Sequence, residues 1–467
     1  MKRIAIIGSG QAGLLAAHAL LQKGCKVTLY SDKTAEDWLN NSRPTGTAAR
    51  FQLALDYEKE LGLNHWEEFA PKARGVYLSF LPKDNNTLVT LSGKLNNSYV
   101  QAVDLRLQCH RWMNDFEKQG GKLIIEKVSV EKLDEIAQEQ DITLVASGRG
   151  PLAELFPKDP EKSVYDQAQR KLTMLLITNA SLTFEGIPFI PIKFNFLAKY
   201  GEAFWIPYYH RDHGACWCLL FEAKAGGKMD QFDDCKTGEA AVEKAKKVIK
   251  ELIPYDYEWC KNMKLADEMG WLQGAVTPTV RKPIGKLPSG AIVMPIGDSL
   301  ISMDPIGGQG ANLGNKFVKQ VVEAIMTAQG RYDEHWMQTT FDAFWADHGH
   351  PTVKFNNALL EPLTFAGKLM LISQYGSTGD ALNVNQKIAD AIIENFRDPR
   401  TISDTFLDAK IAKKVIKDLS GKPWFRVFFP SLLQVIKGQF RQAIGLKANH
   451  PLSKKAKFEG EILKDFA

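Results

Sequence analysis

Cysteine is sparse in this chain. Six cysteines are scattered over 467 residues (Cys25, Cys109, Cys216, Cys218, Cys235 and Cys260). No two form a C-x-x-C pair, which argues against a zinc ribbon or a redox dithiol. Cys216 and Cys218 alternate within the run ACWCLLF and read as packing residues of a strand. Long apolar runs are also missing: no window holds about eighteen uninterrupted apolar residues, so no transmembrane helix is expected. The opening MKRIAIIGSG is too short in its apolar stretch for a secretory leader, and no A-x-A site follows; it reads as a first strand of a cytoplasmic protein. Neither charge sign dominates, and a net charge of +5 gives no case for nucleic acid. H-E-x-x-H and G-x-S-x-G are absent, and the pairs His210/His213 and His348/His350 have no third ligand at a recognisable distance. Neither a metal centre nor a serine hydrolase is indicated.

Glycine, by contrast, is placed with purpose. Arg3 to Ile7 is an apolar run without alternation, as in a parallel strand buried on both faces. Gly8-Ser9-Gly10-Gln11-Ala12-Gly13 follows, then an Ala/Leu-rich helix that Gly24 stops, then a second strand over Lys26–Tyr30. This is the opening of a dinucleotide-binding βαβ unit: Gly8 for the tight turn, Gly10 to admit a diphosphate, Gly13 for close helix–strand contact. An acid that would take the ribose is expected at the end of the second strand, where Ser31 stands, with Asp32 one residue on.

A second glycine-rich stretch, GDSLISMDPIGGQGANLG (Gly297–Gly314), follows an apolar run and leads into a helix expected from Leu313. Such a loop can hold a ribityl diphosphate on the backbone N–H groups of Gly307, Gly308, Gly310 and Ala311, with Gln309 and Asn312 in the same turn and Asp298 taking a ribityl hydroxyl. The two motifs together select FAD. Ser147-Gly148 after the strand ITLVA reads as a second adenine-side turn, and Arg106 either reaches the phosphate side or forms a surface ion pair. No second strand–GxGxxG–helix unit is present to seat NAD(P)H, which favours electrons arriving from a separate protein.

The fold class read from this pattern is α/β: a Rossmann-like FAD-binding domain, an inserted β-sheet substrate domain and a C-terminal helical region. The FAD-binding domain is expected over 1–72, 99–165 and 271–330. The substrate domain takes 73–98 and 166–270, and the helical region with a basic tail takes 331–467. From Ala409 to Lys457 there are twelve Lys and Arg against one acid, Asp418. Leu432, Leu433, Ile436, Phe440 and Ile444 share one helical face in that segment. A packed helix with a solvated basic face is expected, with peripheral membrane contact as the alternative.

Read together, GSGQAG, VTLYSDK, VDLRL, LQGAVTP and GDSLISMDPIGGQGAN resemble the styrene and indole monooxygenase family, the oxygenase components of two-component FAD-dependent systems with para-hydroxybenzoate hydroxylase-like architecture. The resemblance implies a separate NAD(P)H-dependent flavin reductase that delivers reduced FAD, and O2 as co-substrate. A C4a-hydroperoxyflavin would then epoxidise or hydroxylate a small aromatic or alkene substrate. It further implies that Arg43, Thr47 and Pro305 line the reactive edge of the flavin, and it allows a homodimer. The loop Thr45–Arg50 departs from both the styrene-type and the indole-type text, so Gly46, Ala48 and Arg50 become candidates for the substrate pocket. Arg50 either meets a polar group of the substrate or pairs on the surface. Trp205, Ile206 and Pro207 either wall an aromatic pocket or belong to ordinary sheet core. A flavin-dependent reductase or halogenase on the same scaffold is the alternative enzyme, although the halogenase text W-x-W-x-I-P is absent and only FWIP stands at Phe204. A membrane-associated flavin-binding protein is the non-enzymatic alternative.

Overall fold

The computed structural model describes residues 1–46, 49–81, 89–148, 150–180, 189–375 and 385–444, with the side chains of 403 and 404 left aside. Thr47, Ala48 and the basic tail past residue 444 lie outside the described residues. The chain divides into two compact units.

The first unit comprises Met1–Glu68, Val103–Gln169 and Val276–Val353. Its sheet has six strands in the order Gly285–Lys286, Ile292–Pro295, Ile142–Val145, Arg3–Ile7, Lys26–Ser31, Lys122–Ile125. All neighbours run parallel except the outermost pair, Gly285–Lys286 with Ile292–Pro295. The unalternating apolar text of Arg3–Ile7 has a direct cause. Ile4 and Ile6 enter a core with Leu14, Trp112, Phe317 and Phe341, whereas Ala5 and Ile7 enter a second core with Leu133, Phe156 and Val293. Both faces of the strand are dry, as central parallel strands require. The first helix, Gln11–Gln22, ends where Gly24 adopts a left-handed φ of +80°. The helix expected from Leu313 begins three residues earlier and runs Gly310–Thr327.

The second unit comprises Phe69–Ala102, Arg170–Ala275 and Lys354–Ala467. Its eight-stranded sheet is antiparallel except for Pro191–Leu197, which runs parallel to Gly75–Leu81. One face packs under the amphipathic helix Gly238–Leu252, whose Val242, Ala245, Val248 and Ile249 meet Leu175, Trp205, Trp217 and Phe221. On another set of positions phenylalanines meet: Phe80 stacks on Phe196 (5.0 Å), and Phe194 contacts Phe204 (4.3 Å) and Phe396 (5.3 Å) at a tilt. The C-terminal helices do not form a unit of their own. Residues up to 353 cluster with the first unit and those from 354 with the second.

The last helix, Trp424–Ala443, departs from expectation in orientation. Val427, Ser431 and Val435 are its buried residues, while Leu433, Ile436, Phe440 and Ile444 face outward. The helix is amphipathic as read, but the face expected to pack is the open one. Among the described residues no helix is long and apolar enough to cross a membrane.

Candidate functional site

Within the first unit, three chain segments leave the parallel sheet at one level. Ile7 pairs with Val145, and Val145 with Pro295. Gly8, Ser147-Gly148 and Gly297-Asp298 therefore emerge side by side at the carboxyl edge of the strands, where open α/β sheets bind ligands. Gly8 has φ +111°, and a Cβ there would run into the backbone of Ala146; one at Gly13 would run into the carbonyl of Gly8. Gly297 (φ +60°) is as tightly held, since its Cβ would lie 2.8 Å from that of Ala12. The two glycine motifs, some 290 residues apart in sequence, are thus in contact through Ala12 and Gly297.

Two helices point their N-termini from this edge: the first at Gly10 and the later one at Gly310. Neither has a side-chain cap, and neither has an acid in its first turn. A Cβ at Gly10 or at Gly310 would meet nothing within 4 Å. Each uncapped end carries roughly half a positive charge from aligned peptide dipoles, with free N–H donors in the first turn. Open space beside two such ends suits a diphosphate, so the residues present fit the group that the sequence implies. Gln11, Ala12, Gly310 and Ala311 are half-buried around that space, and Asp298 and Arg43 are exposed. Pro305 opens a short 3-10 turn, Pro305–Gly307, capped by the wholly buried Asp304, and Gly308 leaves it with φ +62°. The Gln309 amide donates to the Gly307 carbonyl at 3.0 Å.

Several candidates do other work. The Asn312 amide Nδ2 donates to the carbonyls of Ala49 (2.9 Å) and Gly308 (2.7 Å), and its Oδ1 accepts from the Phe51 N–H (2.7 Å). That spends its donors within the protein; Asn312 fixes the chain just after Thr47 and Ala48 to the glycine loop rather than reaching outward. Ser31, at the position expected for an acid, is buried. Its hydroxyl lies 2.6 Å from that of Ser9 and accepts from the Lys33 N–H at 3.1 Å. The Trp38 indole donates to Ser9 at 2.8 Å. The end of the second strand is therefore tied to the first glycine loop by hydroxyls, and Asp32 is exposed. The Ser299 hydroxyl donates to the Gly148 carbonyl at 3.0 Å, tying the Ser147-Gly148 turn to the second glycine loop.

Both surface-pair readings of the arginines are corrected. Arg106 is wholly buried and grips Asp104 through Nε (2.9 Å) and Nη2 (2.7 Å), while Asp104 caps the same helix. Arg50 is buried against Glu58 at 2.7 Å. Glu58 also accepts from Asn315 Nδ2 (3.0 Å), and Asn315 Oδ1 accepts from Gln11 Nε2 (3.0 Å). This buried relay joins the first turn of the first helix to the strand that carries Arg50. Burial pushes the Glu58 carboxyl up, against the pull of Arg50 and Asn315. Sequence reasoning missed Glu58, Asn315, Ser9 and Trp38. Asn315 alone carried a signal, lying one helical turn from Asn312.

In the second unit, Trp205 belongs to the core under Gly238–Leu252. It crosses Trp217 edge-on at 6.2 Å and donates to Asp256 at 3.1 Å. The reading as ordinary sheet core describes it. Ile206 and Pro207 are buried in the same strand. Among the described residues no group of three or more His, Cys, Asp or Glu could hold a metal ion; His210 lies 2.6 Å from Asp267 instead.

Residues 148–259 match the family described as "Styrene monooxygenase A putative substrate binding domain". The chain is 26% identical to the styrene monooxygenase StyA of Pseudomonas fluorescens over 429 residues, covering 87% of this chain and 95% of the relative. A styrene monooxygenase StyA of Pseudomonas sp. shows the same identity and coverage over 424 residues. Among solved structures, a flavoprotein/dehydrogenase from Cytophaga hutchinsonii superposes with a TM-score of 0.59 at 15% identity, covering 90% of this chain and 99% of its own. The flavin-dependent brominase Bmp2 gives 0.55 at 15% identity, covering 95% and 98%. At that identity the structural likeness speaks for the fold.

Proposed function

We propose that this chain, which sequence similarity groups with the styrene monooxygenase family of FAD-dependent monooxygenases, works as the oxygenase component of a two-component system in the cytoplasm. The structural observation that carries the reading is the pair of uncapped helix ends at Gly10 and Gly310, which meet where Ala12 approaches Gly297 and Gly314. Reduced flavin, supplied by an NAD(P)H-dependent reductase, provides the two electrons with which one atom of O2 enters an aromatic or alkene substrate and the other leaves as water.

The protein's own share is binding, orientation and exclusion of water. Gly10, Gln11, Ala12, Gly310 and Ala311 offer backbone donors to the diphosphate, and Asp298 accepts from a ribityl hydroxyl. Ser147 and Gly148 border the adenine side. Arg43, Thr47 and Pro305 border the reactive edge, and Asn312 holds the segment after Thr47 against Gly308. That only one strand–GxGxxG–helix unit stands in the sequence supports a separate reductase.

The test uses the full chain with FAD, an unrelated flavin reductase, NADH, 18O-labelled dioxygen and styrene or indole. Styrene oxide or oxidised indole carrying one labelled atom is the expected product. Absence of labelled product across a broad panel of aromatics and alkenes, while the reductase visibly reduces FAD, would rule the reading out.

A further inference from the structure

We propose that the C-terminal helix Trp424–Ala443 seats this protein on an anionic membrane surface, lying in the interface rather than crossing it. Phe425, Phe429, Leu433, Ile436, Phe440 and Ile444 are each between 46% and 66% exposed. Their spacing of four, four, three, four and four residues keeps them on one arc of roughly 100°, opposite the buried Val427, Ser431 and Val435. The stripe is roughly 29 Å long at the rise of an α-helix. Large exposed apolar side chains are common singly, but six in one line form a contiguous patch that marks an interaction surface.

Charge selects the partner. Arg426, Lys437 and Arg441 lie along one edge of the stripe, and the helix carries no acid. The preceding helix, Ala409–Ser420, adds Lys410, Lys413, Lys414 and Lys417 against Asp418 alone, and Lys413 lies over the Trp424 ring at 4.7 Å. Aromatic and aliphatic side chains on one face with Arg and Lys on its flank are the composition of helices that lie in the headgroup region of anionic bilayers. A second copy of the same face would bring like charges together. A protein partner would need an acidic groove to receive a convex ridge. No described helix has the length and apolarity to span a bilayer, so the contact is peripheral. This inference does not depend on the oxygenase reading.

Sedimentation of the full chain with lipid vesicles tests it. Vesicles of phosphatidylcholine with one third phosphatidylglycerol should carry the protein down in dilute salt, and phosphatidylcholine alone should carry down far less. Phe429→Ser/Leu433→Ser/Ile436→Ser should abolish sedimentation with an unchanged circular dichroism spectrum, because these side chains touch little of the fold. Arg426→Gln/Lys437→Gln/Arg441→Gln should weaken partition by roughly a hundredfold, and concentrated salt should have the same sense. No sedimentation with the anionic vesicles overturns the proposal, as does sedimentation equal in the serine variant. A dimer in light scattering that the serine variant turns into a monomer, without vesicle binding, assigns the face to self-association and overturns it too.

Discussion

Arg50 and Glu58 form a buried ion pair 2.7 Å apart, with side chains only 2% and 3% exposed. Removing one partner strands a charge in a dry site, at a cost of roughly 3–5 kcal/mol, whereas replacing both by apolar residues of similar volume costs far less. Glu58→Ala and Arg50→Ala should each lower unfolding stability by about that range, and Arg50→Met/Glu58→Leu should recover most of it. Denaturant unfolding of the four proteins checks this. If Arg50 instead met a substrate carboxylate, Arg50→Ala would leave stability intact and change KM for charged substrates only.

Gly13 and Gly310 share a residue type and differ in surroundings. A side chain at Gly13 collides with the Gly8 backbone, whereas one at Gly310 meets open space. Gly13→Val should fail to accumulate as folded protein. Gly310→Val should fold with a stability within about 0.5 kcal/mol of the wild type, since valine has a slightly higher helix propensity than glycine, and bind FAD more weakly by roughly an order of magnitude, since it fills the space left for the diphosphate. Flavin fluorescence titration together with thermal unfolding separates the two effects, and wild-type affinity in a folded Gly310→Val protein would refute the placement.

Trp205 is held by Asp256, which also accepts from Asn195 at 3.0 Å and from Lys193. Trp205→Phe removes one hydrogen bond to a buried carboxylate. A stability loss of roughly 1–2 kcal/mol is expected, with the ratio of kcat/KM between small and large aromatic substrates unchanged. A shifted ratio at unchanged stability would restore Trp205 to the pocket.

Acid should weaken the first unit through His18. This residue is wholly buried, its Nε2 lies 2.8 Å from the Trp112 carbonyl, and burial lowers its pKa below the ordinary 6.5. Burial and Arg111 lower His65 as well. Between the depressed folded value and the ordinary one, the unfolded chain holds more protons than the folded chain. The stabilisation is therefore fully present above pH 6.5 and is lost as the pH falls below it. The thermal midpoint should drop on acidification through that region, and His18→Gln, which can still donate to Trp112, should show a shallower slope. An identical slope in the variant would assign the acid sensitivity elsewhere.

Much of the first unit was legible because its requirements are local. A tight turn, an open approach and a close helix contact each call for glycine at a fixed offset, so Gly8, Gly10 and Gly13 announce themselves within six residues. The apolar run Arg3–Ile7 likewise declares burial on both sides. The helix start at Gly310 was not legible, because glycine lowers helical propensity. Charged partners were not legible. Arg50 and Glu58 are eight residues apart with no pattern linking them, and Asn315 reaches Glu58 from a distant helix.

The sequence by itself determined the order of strands and glycine loops, the amphipathic character of the helices and the pairing of two nucleotide motifs, because each is written in spacing along the chain. Only the tertiary structure decided which side of each pattern faces in. An arginine looks alike whether it pairs in the core or at the surface, and Trp205 in a strand has two faces to choose from. The last helix shows the same limit. Its periodic text fixes that one stripe is apolar, but Val427, Ser431 and Val435 offered a smaller face that packs against its neighbours, leaving the larger stripe from Phe425 to Ile444 outward. Shape complementarity with neighbouring elements made that choice, and it is a property of the assembled fold rather than of any segment of chain.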